Sequence, residues 1–419
     1  MRGRVGVIGA LAAATTAVAG AVALGAPAAA HGGPAASTHT DRPELRVATY
    51  NVSLNRPEEG GLVADLAGGD DAQARAVAQV LQTVRPDVVL LNEFDHDDDG
   101  DAVDLFREEY LEVGQHDEAP IEYPYAFSAP VNTGVDSGLD LNNDGETGTP
   151  DDAFGFGEFP GQYGMVVLSR YPIDTESVRT FQEFLWKDMP GALLPDDPAT
   201  EAPADWYSPE ELDELPLSSK SHWDVPVEVG STTIHVLASH PTPPTFDGPE
   251  DRNGLRNHDE IRFWADYVGS RRDGAYIYDD AGTTGGLRPG SRFVIVGDQN
   301  SDPLDGDSYP GAIDQLLDHP RVRDPLPTSD GAVEAAAVQG GANDGHEGDP
   351  ALDTADFADN APGNLRADYA LPSKNLPVRD AEVFWPMADQ PGSELTGAYP
   401  FLTSDHRPVW VDLWVPGLR

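Results

Sequence analysis

Three short apolar runs end in oxygen-bearing side chains, and chemistry could reside there. Phe293-Val294-Ile295-Val296 runs into Gly297-Asp298-Gln299-Asn300, which puts an acid and an amide two positions apart. Val88-Val89-Leu90-Leu91 runs into Asn92-Glu93, and Leu45-Arg46-Val47-Ala48-Thr49-Tyr50 runs into Asn51. Further on, His240 follows Leu237-Ala238-Ser239, Asp368 stands in Leu365-Arg366-Ala367-Asp368-Tyr369, and Asp405-His406 precede the last apolar run. Carboxylate and amide oxygens suit hard divalent cations such as Mg2+ or Mn2+. A cation there would contact a phosphate oxygen, and a further Asp would orient water in line with a P–O bond. Histidines would donate hydrogen bonds to oxygens that gain charge. Singly, each residue has an ordinary reading. Asp298 and Asn300 can cap a turn, His240 can be a satisfied histidine before proline, and Asp405-His406 can open a turn. His235, inside its apolar run, reads as structural.

The elements that would position these residues follow from periodicity. Leu45 to Val52 reads as a first strand. Asp71 to Val84 has helical spacing through Ala74, Val77, Val80, Leu81 and Val84, and Arg85-Pro86-Asp87 stops it. Val88 to Leu91 is the next strand, so strand, helix and strand follow one another, which marks the α/β class. Gly164 to Arg170 is a strand cut off by Pro172. Trp223 to Val229 and Thr233 to Leu237 read as a hairpin turning at Gly230-Ser231. Glu260 to Val268 has helical spacing, Gly311 to Leu317 reads as a short helix, and Leu365 to Leu371, Glu382 to Trp385 and Val409 to Leu413 read as strands. Loop insertions are expected around 95–160, 186–219 (an excursion over the surface) and 301–362. No internal repeat shows, and the apolar runs point to one domain over 45–419.

Composition narrows the setting. Arg2 and Arg4 precede an Ala/Val/Gly run ending at Ala28-Ala29-Ala30, so residues 1–30 read as a cleaved signal peptide and 31–44 as a flexible lead-in. A secreted, extracellular protein without stable membrane insertion is expected, and a monomer. The chain has no cysteine, which excludes disulfides and thiolate metal sites. Seventy-three acidic residues against 26 basic ones give a formal net charge of -47. Self-repulsion of that size suits a salty exterior, where ions screen it. It also excludes tight non-specific nucleic-acid binding, leaving transient contact only.

Two side features stand out. Asp140-Leu141-Asn142-Asn143-Asp144-Gly145-Glu146 matches the first half of a Ca2+ loop, with Asp140, Asn142, Asp144, Glu146 and Asp151 as candidate ligands, although Asp151 replaces the usual Glu. Cations that could face a phosphate are Arg170, Arg256, Arg262 and Arg407, with Arg170 preferred because it directly follows a strand.

The motifs Ala48-Thr49-Tyr50-Asn51-Val52, Pro86 to Glu93, Ser239-His240, Gly297-Asp298-Gln299-Asn300, Arg366-Ala367-Asp368-Tyr369 and Ser404-Asp405-His406-Arg407-Pro408 together resemble the endonuclease/exonuclease/phosphatase superfamily. That group includes DNase I-type nucleases, abasic-site endonucleases, bacterial sphingomyelinases and inositol-polyphosphate 5-phosphatases. The resemblance implies a four-layer αββα sandwich with two packed mixed β-sheets. It implies Glu93 as main metal ligand with Asn51 and Asp405, Asp298 as the group that positions or deprotonates water, and Asn300 as orienting residue. Asp368 would pair with His406, and His240 and His406 would contact the phosphate. Gln299 and Ala367 depart from the residue types usual there. The expected activity is metal-dependent hydrolysis of a phosphate ester, foremost a nuclease-like phosphodiester. The alternatives are a phosphomonoester or inositol phosphate, a sphingomyelin-like lipid, and a binding module without chemistry.

Overall fold

Long strands of this chain are apolar on both faces, and the architecture follows from that. The computed structural model describes residues 44–418. The expected signal peptide and most of the lead-in lie outside them; Glu44 already opens the first strand. In chain order the strands are β1 (Glu44–Leu54), β2 (Val88–Phe94), β3 (Tyr125–Phe127), β4 (Met165–Ser169), β5 (Arg179–Thr180), β6 (His222–Val229), β7 (Thr232–Ser239), β8 (Arg292–Asp298), β9 (Ala355–Asp356), β10 (Asn364–Leu365), β11 (Asp368–Pro372), β12 (Val378–Val383) and β13 (Val409–Trp414). One sheet has the order β12-β13-β1-β2-β4-β3 and the other β11-β8-β7-β6-β5, while β9 and β10 form a separate ribbon.

Alternate residues of one strand serve different layers. Val47, Val88 and Leu90 meet Val225, Val236, Val294 and Val296 between the sheets. Their neighbours Ala48, Val89 and Leu91 turn outward against the helix Ala72–Val84. On the far side Leu237, Phe293 and Ile295 pack with Phe263, Trp264 and Tyr267 of the helix Arg252–Val268. Period-two side-chain alternation therefore gives three apolar layers and a four-layer sandwich. The helix Ala72–Val84 starts where the Asp71 carboxylate accepts the Ala74 N–H at 2.7 Å, and ends at Arg85 in the left-handed region (φ 53°).

Each sheet contains one parallel pair, β1 with β2 and β7 with β8; the other pairings are antiparallel. A parallel pair sets two C-terminal ends side by side. Asn51 stands opposite Asn92 in the first sheet, and His240 follows β7 beside the end of β8 in the second. At Gly297 (φ 148°) an added Cβ would lie 2.0 Å from the Ser239 carbonyl oxygen, so the close approach of β7 and β8 requires glycine.

Three expectations need correction. The second long helix begins at Arg252, not Glu260. Its first turns bury Arg256, Asn257, Asp259 and Glu260, polar residues that break the apolar rhythm while anchoring neighbouring loops. Residues 186–219 are not a mere surface excursion: Trp186, Met189, Leu215 and Leu217 are buried beneath that helix. The 301–362 segment is more ordered than expected. It holds the helix Asp330–Gln339, capped by Ser329 accepting the Ala332 N–H, and both strands of the ribbon extend into or just beyond it. An Ala-rich helix with a weak apolar stripe leaves little periodic signal.

Candidate active site

The ends of β1, β2, β7 and β8, with the start of β11, converge on one edge of the sandwich. Asn51 bridges the sheets: its Nδ2 donates to Glu93 Oε1 at 3.0 Å and to Asp298 Oδ2 at 3.1 Å. Asn92 ties the same seam, since its Oδ1 accepts the Asp298 N–H at 3.2 Å and its Nδ2 donates to the Ser239 carbonyl at 3.4 Å. Ser53, Glu93 and Asn300 all have positive φ (48°, 56° and 49°), which re-aims the chain as it leaves the sheet. Such conformations cost about 1 kcal/mol or more each and are held by their surroundings.

Asp298 is the centre. It is 1% exposed, with His240 Nε2 at 3.4 Å and His406 Nε2 at 3.6 Å from its Oδ2. Its Oδ1 accepts the Asn300 N–H at 2.9 Å, and the Asn300 side chain donates to the Pro241 carbonyl at 3.1 Å. Burial pushes the Asp298 carboxyl up to about 6, against the pull of His406. The antiparallel register sets Asp368 beside Asp298, and Asp368 Oδ2 takes His406 Nδ1 at 2.8 Å. Burial opposes charge on His406, but Asp368 and Asp298 together carry its pKa well above the usual value. His240 shifts the other way: burial first, then Lys220 and His406, hold it well below. The pair therefore presents one cationic and one neutral imidazole. Among the described residues, His240 Nδ1 and Asp368 Oδ1 are buried without a hydrogen-bond partner.

Glu93 faces Asp298 across Asn51. Its Oε2 accepts from Asn55 at 2.9 Å, and no basic side chain forms an ion pair with it among the described residues. Burial pushes its carboxyl up. Asp405 is half-buried and likewise lacks an ion pair. Glu93 and Asp405, carboxylates without an ion pair among the described residues, are oxygen donors of the kind a hard divalent cation takes, while Asn51 turns its Nδ2 to Glu93 and Asp298 and its Oδ1 to the Ser53 N–H at 3.2 Å. Asp298, Asp368 and His406 also bring one ligand atom each within 4.8 Å of one another.

The sequence-predicted residues Asn51, Glu93, His240, Asp298, Asn300, Asp368 and His406 thus meet in one place, with Asp405 adjoining. Arg170 does not. β4 runs antiparallel to β2, so Ser169 pairs with Val88 at the far end from Glu93, and Arg170 binds Asp87 at 3.1 Å. Arg256 donates to the carbonyls of Leu217, Phe154 and Pro216 and is structural. Arg407, fully buried, binds Asp356 and loop carbonyls, and Arg262 pairs with Asp266. In the Asp140 loop, Asp140, Asn142 and Asp144 accept backbone N–H groups, a turn network. The carboxylate that closes the loop is Asp152, which is buried and accepts the Leu141 N–H at 3.1 Å; Asp151 is exposed. His235 pairs with Asp224.

Sequence reading missed several residues of the site. Lys220 is 6% exposed, and burial lowers its pKa while Glu260, Glu93 and Asp298 support its charge. A lysine amid Ser219-Lys220-Ser221, directly before a strand, was the available signal. Thr354 is fully buried: its hydroxyl donates to Asp368 Oδ2 at 2.9 Å and accepts the N–H groups of Ala367 and Asp368 at 3.0 and 2.9 Å. No sequence signal marks it. Phe357 sets its ring edge against His406 at 5.3 Å.

Residues 48–406 match the pattern of the Endonuclease/Exonuclease/phosphatase family. Similar solved structures include an endonuclease/exonuclease/phosphatase from Beutenbergia cavernae (19% identity, TM-score 0.48, covering 90% of this chain and 73% of that one). Others are sphingomyelinase C from Streptomyces griseocarneus (15%, 0.42, 88% and 99%) and a 3'-5' exonuclease from Neisseria meningitidis (15%, 0.42, 88% and 98%). No curated protein matches the chain. The family match spans the strand-end residues from β1 to His406, and the chain belongs to the endonuclease/exonuclease/phosphatase family, whose members are metal-dependent hydrolases of phosphoester bonds.

Proposed function

We propose that this protein is a secreted phosphodiesterase of nuclease-like type, using Mg2+ or Mn2+. The observation that carries the reading is Asp298, a buried carboxylate with the His240 and His406 imidazoles at 3.4 and 3.6 Å, facing Glu93 across Asn51. Glu93, Asn51 and Asp405 would hold the metal, which supplies Lewis-acid stabilisation of charge on the phosphate. Asp298 takes the proton of the attacking water, and Asn300 fixes that water's direction. His406, kept protonated by Asp368, donates its Nε2–H to a phosphate oxygen as charge grows there. His240 contacts the phosphate from the other side, and Lys220 offsets its charge. The leaving oxygen departs opposite the water, so no covalent enzyme intermediate forms.

A lipid phosphodiester is the second reading. Phe246 and Tyr399, 84% and 85% exposed, lie on the loops that follow His240 and precede Asp405, where an apolar leaving group could be met.

The test is turnover of bis-p-nitrophenyl phosphate, p-nitrophenyl phosphate, plasmid DNA and sphingomyelin with Mg2+ or Mn2+, with and without EDTA, for the parent and Asp298→Asn. Diester cleavage that disappears in EDTA and falls at least about 1000-fold in Asp298→Asn, roughly 4 kcal/mol of barrier, supports the mechanism. Cleavage of monoesters alone, or parental activity in Asp298→Asn, refutes it. Preference for sphingomyelin over DNA selects the second reading.

A further inference from the structure

The chain turns at Glu93, which has φ 56°, and then runs on between two loops. Its next N–H groups go alternately to either side. Phe94 donates to the Gly164 carbonyl at 3.1 Å, Asp95 to the Leu54 carbonyl at 3.3 Å and His96 to the Gly161 carbonyl at 2.9 Å. Asp95 therefore lies between the chain leaving β1 and the chain entering β4. It is 6% exposed, and both of its carboxylate oxygens serve the backbone. Oδ2 accepts the Arg56 N–H at 2.7 Å, and Oδ1 accepts the Tyr163 N–H at 3.0 Å. An acid that merely closes a turn bonds amides two or three residues away. Asp95 reaches 39 residues back and 68 forward.

What Asp95 holds stands directly beside Glu93. The Arg56 carbonyl accepts Gln162 Nε2 at 2.7 Å, so Arg56 is gripped through its N–H by Asp95 and through its C=O by Gln162. The residue before it is Asn55, whose Nδ2 donates to Glu93 Oε2 at 2.9 Å. Asn51 takes the other Glu93 oxygen at 3.0 Å. Two amides thus aim one carboxylate. Asn51 is fixed by the strand register of β1 with β2, but Asn55 lies beyond the end of β1 and has no register to hold it. Its backbone is fixed instead by the bonds on Arg56.

We infer that Asp95 is a positioning residue for Glu93: by holding the Arg56 amide it sets Asn55, and through Asn55 the direction in which Glu93 presents its carboxylate to the metal. The inference rests on the reading of Glu93 as a metal ligand. Hydrogen-bond partners standing behind a metal ligand commonly change metal affinity by about 10- to 100-fold when they are removed.

The test is Mn2+ binding to the full chain by calorimetry, at a temperature where every variant keeps the circular dichroism of the folded parent. Glu93→Gln should lose most of the parental affinity. No binding in the parent, or parental binding in Glu93→Gln, overturns the metal reading and the inference with it. Asp95→Asn keeps the size of the side chain but cannot accept both N–H groups, and its Mn2+ Kd should rise about 10- to 100-fold. Asn55→Ala should give a rise of the same size. Because the two residues act in series, the double variant should bind no more weakly than the weaker single variant. A merely structural Asp95 would lower Tm and leave the Mn2+ Kd of the folded protein at the parental value. That result, or losses that add in full in the double variant, overturns the inference while the loss in Glu93→Gln leaves the metal reading standing. Where Asp95→Asn does not fold, Asp95→Glu, which keeps the charge but displaces the oxygens by one methylene, takes its place and should show the same rise in Kd.

Discussion

Replacing Thr354 by Val keeps the shape of a fully buried side chain and removes one hydroxyl. That hydroxyl serves three bonds: it donates to Asp368 Oδ2 at 2.9 Å and accepts the Ala367 and Asp368 N–H groups at 3.0 and 2.9 Å. The substitution leaves two buried amides without an acceptor, each worth about 1–3 kcal/mol, so stability should fall by roughly 2–4 kcal/mol after partial relaxation. Asp368 also loses a bond to its charged oxygen, worth about 1.5–3 kcal/mol. With its Oδ1 already unpartnered, His406 becomes its remaining side-chain contact. If most of that bond is felt in the transition state, kcat falls about 10- to 100-fold, and KM changes little because Thr354 is too deeply buried to meet substrate. Urea unfolding reads the first number, and steady-state turnover of bis-p-nitrophenyl phosphate reads the second. Thr354→Ser keeps the hydroxyl and should recover most of both. Parental stability and kcat in the Val variant, or a Ser variant as impaired as Val, would refute the reasoning.

Three further outcomes are expected. Lys220→Met should fold and lose about 100-fold in kcat/KM, as expected for removing one charge from a phosphate site; kinetics matching the parent would remove Lys220 from the site. Burial lowers the His222 pKa to about 4, with Ser218 and the Glu260 carbonyl satisfying the neutral ring. The unfolded chain therefore binds the proton more readily. The stability this gives is complete above about pH 6.5 and is lost as pH falls towards 4, by about 3 kcal/mol. Urea midpoints in a His222→Gln variant should lose that part of the slope, and an unaltered slope would contradict it. Finally, with a net charge of -47, Tm should rise between 50 mM and 2 M NaCl as the screening length drops from more than about 10 Å to about 3 Å or less; a flat Tm would remove the reading of a salt-adapted surface.

What the chain alone determined was local. Apolar runs such as Val88 to Leu91 are buried on both faces, so their composition announces strands, and a polar residue at the end of such a run is visible without coordinates. Asn51, Glu93, Asp298 and Asn300 were legible for that reason. The helix Ala72–Val84 was legible because one apolar face repeats every three to four residues and Asp71 and Arg85 bound it. Arg170 was misplaced because sequence shows that a residue follows a strand but not which way the strand runs; antiparallel pairing carries it to the opposite end.

Only the tertiary structure decided how the pieces meet. The polar ridge at the start of the helix Arg252–Val268 is the clearest case. Glu260 accepts the N–H groups of Ser219 and Thr242 at 2.7 and 2.6 Å, and Asn257 donates to the Thr242 and Gln299 carbonyls at 2.8 and 2.9 Å. One helix thereby fixes the segments that carry Lys220, His240 and Asn300. Each of these bonds joins residues far apart in sequence, and a buried Glu or Asn has no periodic signature that a linear pattern could reveal. Thr354 is the same case on the other side of the site: it holds Asp368, 14 residues on, and Asp368 holds His406, 52 residues from Thr354, in a place where Ala355 bridges His406. Burial of polar groups is permitted only where partners converge, and convergence is a property of the packed chain.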